Sequence, residues 1–412
     1  MTRALSSRLI LAAALAGLIL RLVFGLSYWV GKPLTHDERE YLALAQSLRD
    51  GRGFHYPPGH ESGTAQQFGR APGYPVFLAA IGVSSDASAA PTRVKVAQAL
   101  LGAVVVWMIG LIARRAAGMR AGAIAAGIAA VYPPLVWIAA YVFSESLFMP
   151  LALGCVLLLG LAQHHADAGR SARAGGAATI AAGLAAGAAI LVRPGMLFFL
   201  PIAALWLIRS RRWSLALGFC LSALVVVAPW TVRNAKEYGR FVLVASEGGV
   251  TFWTGNHPLA IGEGDLAANP AIKAAELEFR RSHPGLNATE LERLYYRDAL
   301  GRIADDPGWW VSLLARKAFY SLVPIGPSYA LHSTRYQLGS VIPYAILAPL
   351  AIIGLFRLVR TGAASPLLLL ALSVFVTNLV FFPQERFRIP VIDPTVIVCA
   401  STVIAGRGRN RA

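Results

Sequence analysis

The feature that most constrains this chain is an apolar run of about twenty residues that recurs along all 412 positions. A helix of that length reaches across about 30 Å of hydrocarbon, and inside lipid only helices and closed barrels satisfy their own backbone groups. Ten such runs can be drawn: Leu9 to Val30, Val94 to Ala113, Ala121 to Ala140, Ser146 to Leu161, Gly176 to Val192, Met196 to Ile208, Trp213 to Trp230, Val341 to Phe356, Pro366 to Phe382 and Val391 to Ala405. Only 14% of the residues are charged, against roughly a quarter in soluble domains. The sequence predicts an all-α integral membrane protein of about ten transmembrane helices.

A net charge of +17 would point to a nucleic-acid partner in a soluble chain. Its distribution along the runs explains it otherwise. With the N-terminus inside, the short inner segments carry Arg3, Arg8, Arg114, Arg115, Arg120, Arg170, Arg173, Arg209, Arg211, Arg212, Arg357, Arg360, Arg407, Arg409 and Arg411. The short outer turns carry only Arg193, Arg386 and Arg388, which is the asymmetry of the positive-inside rule. We therefore expect membrane lipids, and no nucleic acid, around this protein. Arg21 in the first run costs about 2.5–3.5 kcal/mol on insertion. Twelve Leu, Ile, Val and Phe residues in the same run outweigh it at about 0.3–0.6 kcal/mol each, so an uncleaved first span is expected, with Arg21 paired inside the bundle. Cys155, Cys220 and Cys399 all fall within runs, which argues against a disulfide framework or a cysteine metal site.

Two segments predicted on the outer face are too long to be turns, 31–93 and 231–340. They divide the chain into a transmembrane module (1–230), an extracytoplasmic segment (231–340) and C-terminal helices (341–412). In the first, Tyr41, Leu42, Leu44, Ala45 and Leu48 follow Thr35-His36-Asp37-Glu38 at helical spacing, which reads as an amphipathic helix on the membrane surface. After the stretch Gly51 to Gly63, the apolar piece Pro72 to Val83 is too short to span. In the second, a Gly-rich stretch from Glu247 to Gly264 leads into one helix, Ala271 to Ala304. An amphipathic piece, Trp309 to Val323, carries Trp309, Trp310, Phe319 and Tyr320 suited to the interface.

Asp37 and Glu38 hold carboxylates just outside the first span. Thr35-x-x-Glu38 is a capping box, and acidic residues favour a helix N-terminus, so both have a purely structural reading. Glu38 suits the cap better and Asp37 the chemistry. Thr35-His36-Asp37-Glu38 with Tyr41, Gly51-Arg52-Gly53-Phe54 and Arg70-Ala71-Pro72-Gly73-Tyr74-Pro75 resemble the first outer loop of the polytopic GT-C glycosyltransferases. The protein O-mannosyltransferase and lipid A aminoarabinose transferase branch is the most similar. Ser144-Glu145-Ser146-Leu147, Arg193-Pro194, Pro229-Trp230-Thr231-Val232-Arg233-Asn234, Gly255-Asn256 and Glu385-Arg386-Phe387-Arg388-Ile389-Pro390 extend the likeness in order over nearly the whole chain.

The resemblance implies transfer of a sugar from a polyprenyl-phosphate donor to a glycan, lipid or protein hydroxyl by direct, inverting displacement, without a cofactor. It implies Asp37 as the base, a role that typically contributes about 10²–10⁴-fold, with Glu38 and Glu145 beside it. A leaving lipid phosphate needs positive charge at the membrane surface, which Arg386, Arg388, Arg193 and Arg233 supply, with Tyr74 and Asn256 as further contacts. Each arginine alone also fits a snorkelling role. Glu145 fits three roles: tuning Asp37, binding the sugar, or capping the next helix. His36, His55, His60 and His257 lie in outer loops without zinc spacing, so no metal is expected. The location implied is an inner membrane, with the site on its extracytoplasmic face. A transporter or flippase of lipid-linked sugars is the main alternative, and it calls for ionisable groups at mid-membrane and repeated halves. A non-catalytic assembly subunit is a third.

Overall fold

The structure, a computed structural model, describes residues 2–56, 69–83, 87–167 and 171–406. His60, Arg170, Arg407, Arg409, Arg411 and part of the stretch Gly51 to Gly63 lie outside the described residues. Helices dominate. In chain order they are α1 (Arg3–Val23), α2 (His36–Arg49), α3 (Gly73–Ala80), α4 (Thr92–Ala117), α5 (Met119–Val131), α6 (Pro133–Trp137), α7 (Glu145–Asp167), α8 (Ala172–Val192) and α9 (Phe199–Arg209). There follow α10 (Trp213–Tyr238), α11 (Gly248–Gly255), α12 (Pro270–Arg281), α13 (Ala288–Asp305), α14 (Pro307–Leu322), α15 (Thr334–Thr361), α16 (Ser365–Val380), α17 (Glu385–Arg388) and α18 (Ile392–Ile404).

Among the described residues, six helices are long and apolar enough to cross a membrane, spanning 4–28, 92–117, 145–165, 172–192, 213–238 and 334–361. A seventh arises if α5 and the helical turns through Ala140 count as one span, which is bent by 63°. The apolar helices at 194–209, 365–380 and 392–404 are shorter. The spans pack through small residues, as lipid-embedded helices do. A Cβ on Gly187 of α8 would come within 2.6 Å of the Ala223 carbonyl oxygen of α10, and one on Gly122 of α5 within 2.8 Å of the Gly110 oxygen of α4.

The bend after α5 explains the buried arginine of the first span. Pro133 and Pro134 lack N–H groups, so the carbonyls of Ala129 and Ala130 lose their helical donors. Arg21, only 2% exposed, reaches them from α1, with Nη1 3.4 Å from the Ala130 oxygen and Nη2 3.5 Å from the Ala129 oxygen. Gly102 makes room for it, since a Cβ there would lie 2.6 Å from Arg21 Cδ. The guanidinium is thus paired within the bundle, on backbone oxygens.

Two sequence expectations need correction. α2 does not present one apolar face to a membrane surface: residues 40–45, together with Glu38 and Ser47, are buried, and α3 packs against it. The single helix from Ala271 to Ala304 is two, because Pro284-Gly285 interrupts it, with Gly285 at φ +85°, and Asn287 starts α13 with a capping box to Glu290. α11 to α14 share a small core of their own around Trp253, Ile272, Leu291, Tyr295 and Leu313. α14 is not among the helices long and apolar enough to span.

This second unit is stitched to the last turn of α16 and to the chain that follows it. Asn256 Nδ2 donates to the Val380 carbonyl (2.9 Å), and the fully buried Lys317 donates to Leu379 O (3.1 Å) and to Asn256 Oδ1 (2.9 Å). Gly264 N donates to Pro383 O (3.0 Å), and Gln384 Nε2 donates back to Gly264 O (3.0 Å). The segment leading to Arg386 is therefore held by hydrogen bonds from the second unit.

Candidate active site

The site begins with a helix cap. Thr35 precedes α2, its Oγ1 accepts from Glu38 N, and Glu38 Oε2 accepts from Thr35 N at 2.8 Å. The other Glu38 oxygen accepts from Val142 N at 2.8 Å, tying α2 to the turn that leads into Glu145. Both Glu38 oxygens are thereby committed to backbone donors, and the neighbouring Asp37 faces a different set of groups.

Asp37 lies between two guanidinium groups. Its Oδ1 accepts from Arg70 at 2.6 Å and its Oδ2 from Arg386. Arg70 also donates to Glu40 (Nε to Oε2, 2.8 Å), lies 3.6 Å from Glu247 and sits over the Tyr41 ring. Arg386 donates from Nε to Gln384 Oε1 at 3.1 Å, lies 3.6 Å from Glu145 and has the rings of Phe143 and Phe387 within 4.5 and 5.6 Å of its guanidinium carbon. Arg193 completes the group, 2.7 Å from Glu145, 3.2 Å from Ser144 Oγ and over the Phe387 ring. Its extended backbone (φ −140°, ψ 108°) follows from Pro194, which disfavours helical geometry in the residue before it. α8 therefore stops where the guanidinium is needed.

Electrostatics separates the carboxylates. Burial pushes Asp37 upward, but the charges and hydrogen bonds of Arg70 and Arg386 outweigh it and hold the carboxyl far below the usual range. Glu247 goes the other way: burial raises it to about 7, with Arg70 opposing and Glu40 and Asp37 adding to the rise. The cluster thus joins a carboxylate that two guanidinium groups hold low to another that burial pushes up to about 7. Beside it along the chain, an apolar cleft is lined by Pro72, Gly73, Val76, Leu191, Val226, Pro229 and Trp230.

Of the residues singled out from the sequence, Asp37, Glu145, Arg193 and Arg386 converge, and Glu38 anchors them. Tyr74 stands one layer behind, edge-on to Tyr41 and donating to Gln98 at 2.8 Å. Arg233 turns away onto Trp230 and Tyr238. Arg388 forms a buried pair with Asp393 at 2.8 Å, and both oxygen and nitrogen of the Asn256 side chain serve the stitch described above. His36 faces Glu40, His55 faces Glu237, and His257 accepts from Leu259 N. Among the described residues no three His, Cys, Asp or Glu side chains converge as metal ligands. Arg70, Glu40 and Glu247 escaped the sequence reading of the site. Glu40 was within reach, because it lies three residues after Asp37 and so on the same face of α2.

No protein-family model matches the chain, and no curated protein matches it in sequence. Among solved structures, the oligosaccharyltransferase of Archaeoglobus fulgidus in its apo form is similar, with a TM-score of 0.57 and 14% identity over 98% of this chain and 50% of that one. The oligosaccharyltransferase AglB from the same organism, in complex with an inhibitory peptide and a dolichol-phosphate, gives 0.56 and 15% over 97% and 50%. ArnT from Cupriavidus metallidurans bound to undecaprenyl phosphate gives 0.41 and 17% over 95% and 78%. The chain spans about half the length of the archaeal enzyme it matches. The likeness to the archaeal enzyme is one of fold.

Proposed function

We propose that this protein is a membrane glycosyltransferase that moves a sugar from a polyprenyl-phosphate donor to an acceptor hydroxyl. In this reading the three shorter apolar helices complete ten crossings, the protein resides in the inner membrane, and the Asp37 cluster opens to the extracytoplasmic side. One observation carries the reading: a carboxylate flanked by Arg70 and Arg386, with Arg193 one carboxylate further on, at helix ends beside an apolar cleft. A base and an anion site thus adjoin a surface suited to a lipid tail.

Asp37 accepts the proton of the attacking hydroxyl as the new glycosidic bond forms on the face opposite the departing phosphate. Arg386 and Arg193 receive the charge that develops on that phosphate, where oriented donors in a dry site act most strongly. With Asp37 as base and no covalent sugar intermediate in this reading, the displacement is a single inverting step. Which sugar moves, and whether the acceptor is a glycan, lipid or protein, would be decided by the surfaces around this cluster. The transporter alternative gains nothing from Arg21, the ionisable group deep in the bundle, because backbone carbonyls occupy it. The test is turnover of labelled lipid-linked sugars by purified wild type and Asp37→Ala. A well-folded Asp37→Ala protein with wild-type turnover would refute the assignment.

A further inference from the structure

We propose that Asp37 and the donor phosphate compete for one guanidinium, so that donor binding moves Arg386 from the carboxylate to the phosphate and uncovers Asp37 for the acceptor. This deepens the reading above and rests on it. All three arginines of the cluster already have acidic partners: Arg70 holds Asp37 and Glu40, Arg193 holds Glu145, and Arg386 holds Asp37 with Glu145 at 3.6 Å. A phosphate entering the cluster therefore meets no unneutralised cation, and it gains a guanidinium only by displacing a carboxylate.

The geometry identifies which one. Of the two carboxylates on Arg386, Glu145 is 1% exposed and also gripped by Arg193, whereas the Asp37 side chain is 22% exposed. Arg386 does not depend on Asp37 for its position, because Gln384 and the rings of Phe143 and Phe387 hold it independently. Asp37 likewise keeps Arg70 on Oδ1, so the exchange frees Oδ2 while the carboxylate stays oriented. A carboxylate with both oxygens on guanidinium groups is a poor proton acceptor, and one with a free oxygen is a better one. The base is thus quenched in the resting protein and released when the donor arrives, which protects the site against activating water prematurely.

The experiment measures binding of undecaprenyl phosphate, with undecaprenol as the phosphate-free blank, to the full chain in detergent micelles. Wild type is compared with Asp37→Asn, Asp37→Ser and Glu40→Gln, the last removing the same charge from the far side of Arg70. Both Asp37 variants should bind more tightly, by on the order of ten- to a hundredfold, the range of one hydrogen bond to a charged group, and Glu40→Gln should gain much less. Equal affinity in wild type and the Asp37 variants, or an equal gain in Glu40→Gln, overturns the exchange and leaves the donor reading standing. Absence of phosphate-dependent binding in every protein overturns the donor reading and the exchange together.

Discussion

Asp37 and Glu38 are adjacent acids with opposite expected roles, and one pair of substitutions separates them. Glu38→Gln keeps the size of the side chain but leaves it one oxygen for two backbone donors, Thr35 N and Val142 N. Whichever way the amide turns, its NH2 faces one of these N–H groups. The loss comprises a hydrogen bond to a charged acceptor, about 1.5–3 kcal/mol, plus the desolvation of a stranded donor, so we expect about 2–4 kcal/mol of destabilisation. Asp37→Asn disturbs no cap, and each arginine it faces retains another partner, Glu40 for Arg70 and Gln384 for Arg386. It should lower turnover by about 10²–10⁴-fold, the usual contribution of a general base, with little loss of stability. Thermal unfolding in detergent, followed by tryptophan fluorescence, is to be measured alongside sugar transfer on the same preparations. A Glu38→Gln protein of wild-type stability that has lost turnover would refute the division of roles, since Glu38 would then act in the chemistry.

Other outcomes follow from the same geometry. Gln384→Leu removes the acceptor of Arg386 Nε and the donor to Gly264 O; the donor KM should rise a few-fold to about tenfold, and an unchanged KM would show that Gln384 does not orient the arginine. Glu247, raised to about 7 by burial, is neutral below that pH and anionic above it, so affinity for the anionic donor should fall as pH rises through 7. Glu247→Gln should remove that limb of the pH profile, and a profile unaltered by the substitution would exclude Glu247 as its source. Gly102→Ala puts a methyl against Arg21 and strands the carbonyls at the α5 bend, a loss of about 2–4 kcal/mol in detergent unfolding. In the Arg21→Met background the same change should cost much less, so strict additivity would contradict the contact.

Much of this architecture is legible in the sequence because hydrocarbon imposes a simple length rule on apolar runs, and because a capping box carries its own geometry in Thr35 and Glu38. The positions of α1, α4 and α8 follow from the first of these. The surroundings of a helix are a different matter. An apolar stripe on α2 has the same pattern whether lipid or protein covers it, so its burial beneath α3 could not be read from spacing. Arg386 and Arg388 share one motif, yet from a four-residue helix they point to Asp37 and Asp393 respectively, and that choice is made by tertiary packing. Arg70 lies 33 residues from Asp37, with its pairing set by how α3 folds back. The break between α12 and α13 was readable in Pro284-Gly285, a strong turn signal set against an otherwise continuous helical periodicity.

The arginine of the first span also bears on how the chain is made. Besides Gly17 O of its own helix, its carbonyl partners lie 108 and 109 residues later, so while α1 enters the bilayer those two have yet to be synthesised. Until α5 arrives, the guanidinium has only water, headgroups or its own helix to turn to, and the leucines around it must hold the segment in place unaided. The first helix is therefore inserted on the strength of its own greasiness, and its final seat is taken only once a later part of the nascent protein has reached the membrane.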